Sequence, residues 1–180
     1  MSSENQDTER RLIEACLGGD SSAFEQIYKQ LSEKMYMVSL RYTQNDSDAQ
    51  DVLQEAFIRI YKNLNRFKFQ GSFEGWCRRI VVNSSIELIR KRNRHQFDDI
   101  EQTEAIALDP KSISKLTMQE LLGLIRQLPD GYRTVFNMYV IEGYSHKEIG
   151  ETLGISENTS KTQLFKARQA LQKKLTNQEV

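Results

Sequence analysis

SHKEIGETLGISENTSKTQLFKARQALQKKL, Ser145 to Leu175, carries the clearest structural pattern in the chain. Ser145 is followed three residues on by Glu148, a capping box that predicts the start of a short helix. Gly154 closes that helix, Ile155 plugs the turn, and Ser156 caps a longer helix. A short helix, a glycine turn and a longer basic helix are the signature of a helix-turn-helix. Wound at about 100° per residue, the second helix turns Ser160, Leu164, Ala167, Leu171 and Leu175 inward. Asn158, Thr162, Phe165, Lys166, Gln169 and Lys173 fall on its outer half, flanked by Lys161. Ser156–Leu175 carries five Lys/Arg against one Glu. An aromatic ring among lysines needs something to touch. A neighbouring helix is one such surface; the thymine methyls and sugar carbons of a DNA major groove are the other. In the second reading the lysines meet phosphates, and Thr162 and Gln163 reach base edges.

Outward from this motif the chain stays helical. LTMQELLGLIRQL predicts one helix, stopped by Pro129, and GYRTVFNMYVIEG another, ended by Gly143. Before them, residues 97–115 read FDDIEQTEAIALDPKSISK, with Asp98, Asp99, Glu101, Glu104 and Asp109 on no apolar period and Pro110 interrupting. This is an acidic linker, flexible or extended.

The first half has its own pattern. A short helix over 8–17 ends at Gly18-Gly19, and Asp20 or Ser21 caps a longer one carrying Phe24, Ile27, Tyr28, Leu31, Met35, Val38 and Tyr42. In NDSDAQDVLQEAFIRIYKNLNRF, Ala49, Val52, Leu53, Ala56, Phe57, Ile60, Tyr61 and Leu64 repeat at helical spacing, with Asp46 or Ser47 as the cap. Its far face holds Asp51, Gln54, Glu55, Arg59 and Lys62 with Ile58 among them, which reads as a solvated face or as a partner surface. After the loop KFQGS comes FEGWCRRIVVNSSIELIRKRNR. Phe73, Trp76, Cys77, Ile80, Ser84 and Leu88 form its inward stripe, and Arg79, Asn83, Ile86 and Arg90 line up on the opposite ridge. From Phe73 to Gln96 there are six Arg/Lys against two Glu, a charge of +4.

The composition bounds what such a chain does. Its 180 residues suffice for one domain or two small ones. Lys+Arg and Asp+Glu are 25 each, so the net charge of zero argues against a globally basic coat and leaves room for local basic patches. The two cysteines, Cys16 and Cys77, sit inside apolar helical patterns and read as buried thiols of a reducing compartment. The polar start MSSENQDTERR has no signal-peptide pattern and no apolar run reaches membrane length, so a cytoplasmic protein is expected. His95 and His146 have no carboxylate or cysteine at ligand spacing, and no phosphate loop or nucleophile motif appears. An enzyme is therefore not expected, nor a cofactor or metal. Two basic helical surfaces on one acidic tether can grip two separated sites on one duplex, because linkage raises effective concentration.

These blocks, in this order and spacing, resemble bacterial RNA polymerase sigma factors of the extracytoplasmic-function (ECF) type across nearly the full chain. DAQDVLQEAFIRIYKNL resembles their polymerase-binding helix, FEGWCRRIVVNSSIELIRKR the helix that melts and reads the promoter −10 element, and LPDGYRTVFNMYVIEGYSHKEIGETLGISENTSKTQLFKARQAL the −35-reading domain. The resemblance implies an all-α protein with a region-2-like domain at 1–95, a linker at 96–115 and a region-4-like helix-turn-helix domain at 116–180. It implies that Asp51, Gln54, Glu55 and Ile58 dock on the clamp helices of the polymerase β′ subunit, with a further contact to the β subunit. Asn83 would hold the non-template strand, flanked by Arg79, Ile86 and Arg90. The loop Lys68–Ser72, with Phe69 and Gln70, would pocket a flipped −10 base, Phe69 and Phe73 being available to stack. Lys161, Thr162, Phe165 and Lys166 match −35 contact positions, with Gln163, Asn158 and Ser145 beside them. The linker would run near the polymerase active-site cleft, and an anti-sigma factor commonly covers both surfaces. Gln163 stands where the family often has arginine, and Ser160 where it has a valine-like residue. A conventional helix-turn-helix regulator is the alternative reading; it would bind duplex DNA unaided.

Overall fold

The computed structural model describes residues 3–92 and 117–176. The described residues are helical, without strands. The chain falls into two compact units, Met1–Glu87 and Leu88–Val180. The acidic stretch read as a linker lies outside the described residues.

The first unit is built from α1 (Ser3–Leu17), α2 (Ser21–Tyr42), α3 (Asp46–Asn63) with a 3-10 turn at Leu64–Arg66, and α4, which starts at Phe73 and runs to Arg92. Helix α1 begins earlier than its periodicity suggested. The Asp20 carboxylate caps α2, accepting the N–H groups of Ser22 and Ala23. The cap of α3 is Asn45, not Asp46 or Ser47: its side-chain oxygen accepts the Asp48 N–H at 2.8 Å, while Asp46 and Asp48 sit in the positive first turn. Ile13, Ile27, Met35, Tyr42, Ile60, Leu64, Phe73 and Val81 are among the core side chains. Tyr28 and Tyr61, expected on the inner stripes, are exposed at the rim, where they lean edge-on against Phe57 and Phe24. Cys16 and Cys77 are buried as separate free thiols, and burial pushes both thiol pKa values up.

Helix α4 is buried over a wider arc than one stripe. Val81, Val82, Ser85, Ile86 and Ile89 are buried with Phe73, Cys77 and Ser84, whereas Trp76, Ile80 and Leu88 are only half-buried. Ser72 caps its first turn through the Gly75 N–H, and ion pairs Lys34–Glu74 (2.7 Å) and Arg59–Glu87 (2.6 Å) tie it to α2 and α3.

The second unit holds α5 (Met118–Arg126), α6 (Asp130–Phe136, continued by a π turn at Asn137–Ile141), α7 (His146–Leu153) and α8 (Glu157–Thr176). Its core is Leu124, Ile125 and Leu128 against Ala167, Leu171 and Leu175. Removing one such leucine side chain costs about 2–5 kcal/mol. Thr117 and Glu120 form a capping box on α5. On α6, facing the end of α5, stands Arg133, 1% exposed. Its guanidinium donates to the carbonyls of Leu128 (2.7 Å) and Arg126 (3.2 Å), the free end of α5, and pairs with Asp130.

Candidate nucleic-acid interface

The helix-turn-helix forms as its residues require. Ser145 Oγ accepts the Glu148 N–H at 3.3 Å while the Glu148 carboxylate accepts the Ser145 N–H at 2.8 Å. Gly154 takes a left-handed φ of 71°, which glycine adopts without a Cβ penalty, and both its N–H and that of Ile155 bond the Gly150 carbonyl. The turn passes so close to α7 that a Cβ at Gly150 would stand 2.8 Å from the Ile155 oxygen. Ser156 Oγ then accepts the Thr159 N–H at 2.9 Å to start α8.

On α8, Asn158 and Lys161 are exposed, and Thr162, Phe165 and Lys166 are half-buried on the same outer side. Lys161 pairs with Glu157 at 2.7 Å, and that contact holds the Glu157 carboxyl below its usual range. Gln163 departs from expectation. It is 8% exposed, with its amide against Gly131 of α6 and its Oε1 without a hydrogen-bond partner. It cannot reach a base edge from there. The reason is that α8 packs on α5, α6 and α7 at once, so its buried arc is wider than the leucine stripe. Ser145 is exposed, but its hydroxyl donates to Glu148 at 2.7 Å and so serves the cap. His146 is half-buried and engaged with Ser160 and Tyr139.

On α4, Arg79, Asn83 and Arg90 are exposed along one ridge, Arg90 lying beyond the first unit's end at Glu87. Ile86, expected with them, is 3% exposed. It continues the apolar ridge of Val82 and Ile89 at four- and three-residue steps and presents nothing to a strand. Asp51, Gln54 and Glu55 are exposed on α3 beside Ile58, an apolar side chain 42% exposed. Arg59 braces this face, donating to Glu55 at 2.7 Å and to Glu87 at 2.6 Å. Both carboxylates raise its already high pKa, so its charge is permanent.

The loop Lys68–Ser72 leaves Phe69 and Gln70 exposed. Phe73 is not available to stack on a ligand, being a core residue in contact with Phe67 and Trp76. Facing the loop is a polar side of α1 with Asp7, Glu9 and Arg10, which no periodicity or motif singles out. Among the described residues no cluster of His, Cys, Asp or Glu could hold a metal ion. No described helix is long and apolar enough to cross a membrane.

Two family models match the chain: Sigma-70 region 2 over residues 27–95 and Sigma-70 region 4 over residues 118–171. The ECF RNA polymerase sigma factor SigW of Bacillus subtilis is 34% identical over 179 residues, spanning 92% of this chain and 96% of the relative. The chain belongs to the ECF RNA polymerase sigma factors. Its fold is similar to that of the sigma factor RpoE solved with the anti-sigma factor NepR from Bartonella quintana (TM-score 0.53, 21% identity, 86% of this chain and 96% of that one). It is similar too to CnrH solved with the cytosolic domain of CnrY (TM-score 0.52, 21% identity, 96% and 99%). The sigma factor is thus a promoter-specific transcription initiation factor, of a family that binds RNA polymerase and promoter DNA and is not itself catalytic. A conventional regulator is not favoured, because the N-terminal half matches the sigma region 2 model.

Proposed function

We propose that this sigma factor reads the −35 element with α8 and opens and reads the −10 element with α4 and the Lys68–Ser72 loop. On α8 the contacts come from Asn158, Lys161, Thr162, Phe165 and Lys166. The two lysines meet phosphates, and the half-buried Phe165 lays one edge against thymine methyls or sugar carbons. On α4, Asn83 holds the non-template strand, with Arg79 and Arg90 along the same ridge. The observation that carries this reading is that exposed ridge on a helix otherwise so widely buried. A flipped base then enters the loop beside Phe69 and Gln70, where contacts must offset a few kcal/mol of lost stacking.

The α3 face of Asp51, Gln54, Glu55 and Ile58 docks on the β′ clamp helices, and the second unit meets the β subunit. Ile58 supplies an apolar anchor among polar neighbours, the arrangement expected of an interface centre. Work on core polymerase means work in the cytoplasm. An anti-sigma factor that covers these surfaces is the further partner proposed, by likeness to the RpoE–NepR complex.

Run-off transcription tests the whole. Purified protein is mixed with core RNA polymerase of its own bacterium and a pool of upstream fragments. Transcripts that start only when the protein is present are expected, from promoters sharing −35 and −10 sequences. Tight duplex binding without affinity for core polymerase would sink the reading.

A further inference from the structure

A cavity of about 420 Å³ lies between α1 and the loop, with Asp7, Glu9 and Arg10 on one wall and Phe67 and Phe69 on the other. The loop wall is aromatic. The Phe67 ring packs 5.2 Å from Phe69 and 5.1 Å from the buried Phe73. Phe69 has a φ of 56°, a region few residues other than glycine adopt, and its ring stays 38% exposed. Such a conformation persists only where its surroundings hold it. The α1 wall is polar. The Arg10 guanidinium lies over the Phe69 ring, 5.0 Å from its centroid, and Glu14 anchors it at 2.8 Å.

These groups match one kind of ligand. A nucleobase is a flat π system that stacks on an aromatic face and beneath a guanidinium. An ionised carboxylate only accepts hydrogen bonds. Cytosine N4 and adenine N6 donate where thymine O4 accepts. Glu9 already accepts the Phe73 N–H, and burial and the Glu74 charge raise its carboxyl, which leaves Asp7 as the acceptor lining the cleft.

We infer that this cleft seats one unpaired base, and that Asp7 and Arg10 of α1, not the loop alone, decide which base it takes: one with an exocyclic amine in preference to thymine. The inference rests on the reading of the loop as the −10 pocket. Arg10 leaves the Phe69 ring face it now covers, stacks over the entering base in its place and secures any base equally; Asp7 discriminates among them.

The test uses the full chain with core RNA polymerase and single-stranded oligonucleotides of the −10 non-template strand from a run-off promoter, each position changed in turn to all four bases. The wild-type chain is expected to prefer an amine-bearing base over thymine at one position by about fivefold or more. Asp7→Asn reduces that preference to below about twofold at that position alone. Arg10→Ala weakens all four bases there together. A preference that survives unchanged in both variants, or a wild-type preference for thymine, overturns the inference while leaving the sigma reading intact. A wild-type complex that binds no −10 strand overturns both.

Discussion

His146 Nδ1 lies 2.9 Å from Ser160 Oγ, so the first turn of α7 is fastened to the inner face of α8. The same ring stacks on Tyr139 at 4.4 Å and 21°. Burial, then the charge of Lys161, lowers the His146 pKa below its ordinary 6.5. The folded protein therefore binds this proton less readily than the unfolded chain. The resulting stability is fully present above about pH 6.5 and is lost as pH falls through the folded pKa. Between pH 7.5 and 5.5 the wild-type Tm should drop further than that of His146→Gln. Parallel Tm curves from thermal melts across that range would contradict the assignment.

Gly150→Ala should destabilise the second unit by about 1–3 kcal/mol, because its Cβ meets backbone at 2.8 Å and backbone yields less than a side chain. Urea unfolding of both proteins checks the value. A neutral substitution would mean that the turn relaxes freely.

Arg133→Met keeps much of the side-chain volume but strands the α5 carbonyls and the Asp130 carboxylate. A loss on the order of 3–5 kcal/mol is expected, with a smaller loss for Asp130→Asn. The two midpoints in denaturant give the comparison directly.

Lys161→Ala and Lys166→Ala should each weaken −35 duplex binding by the holoenzyme and lower the slope of log K against log salt by about 0.9. Glu157→Gln releases Lys161 from its 2.7 Å partner and should tighten binding. Titration at several salt concentrations reads all three, and an unaltered slope in the lysine variants refutes phosphate contacts.

Asn83→Ala should impair promoter opening, followed by permanganate reactivity of unpaired thymines, more than closed-complex binding. Its side chain is exposed, so stability should change by less than about 0.5 kcal/mol. Equal loss of both steps would remove the strand-holding role.

The helices and their punctuation are legible along the chain. Ser145 with Glu148, Gly154 and Ser156 act within three or four residues of themselves, and local hydrogen bonding settles such caps wherever the helix later packs. The inward faces of α8 and most of α2 were legible for the same reason, since one apolar period marks one buried stripe.

What lies beyond a single stripe depends on how the helices pack. Gln163, at the edge of the leucine stripe, and Ile86, on the outer half of its wheel, are both buried. A wheel assumes one packing partner, and α8 meets three. Asn45 took the cap of α3 from two equally plausible neighbours. Arg133 gave no hint that its charge would be buried, because the carbonyls that compensate it belong to the end of another helix. Arg10 and Phe69 are 59 positions apart, and only folding sets the guanidinium over the ring. Period and cap are properties of neighbours along the chain. The composition of a cleft belongs to neighbours in space, and no repeat in the sequence records it.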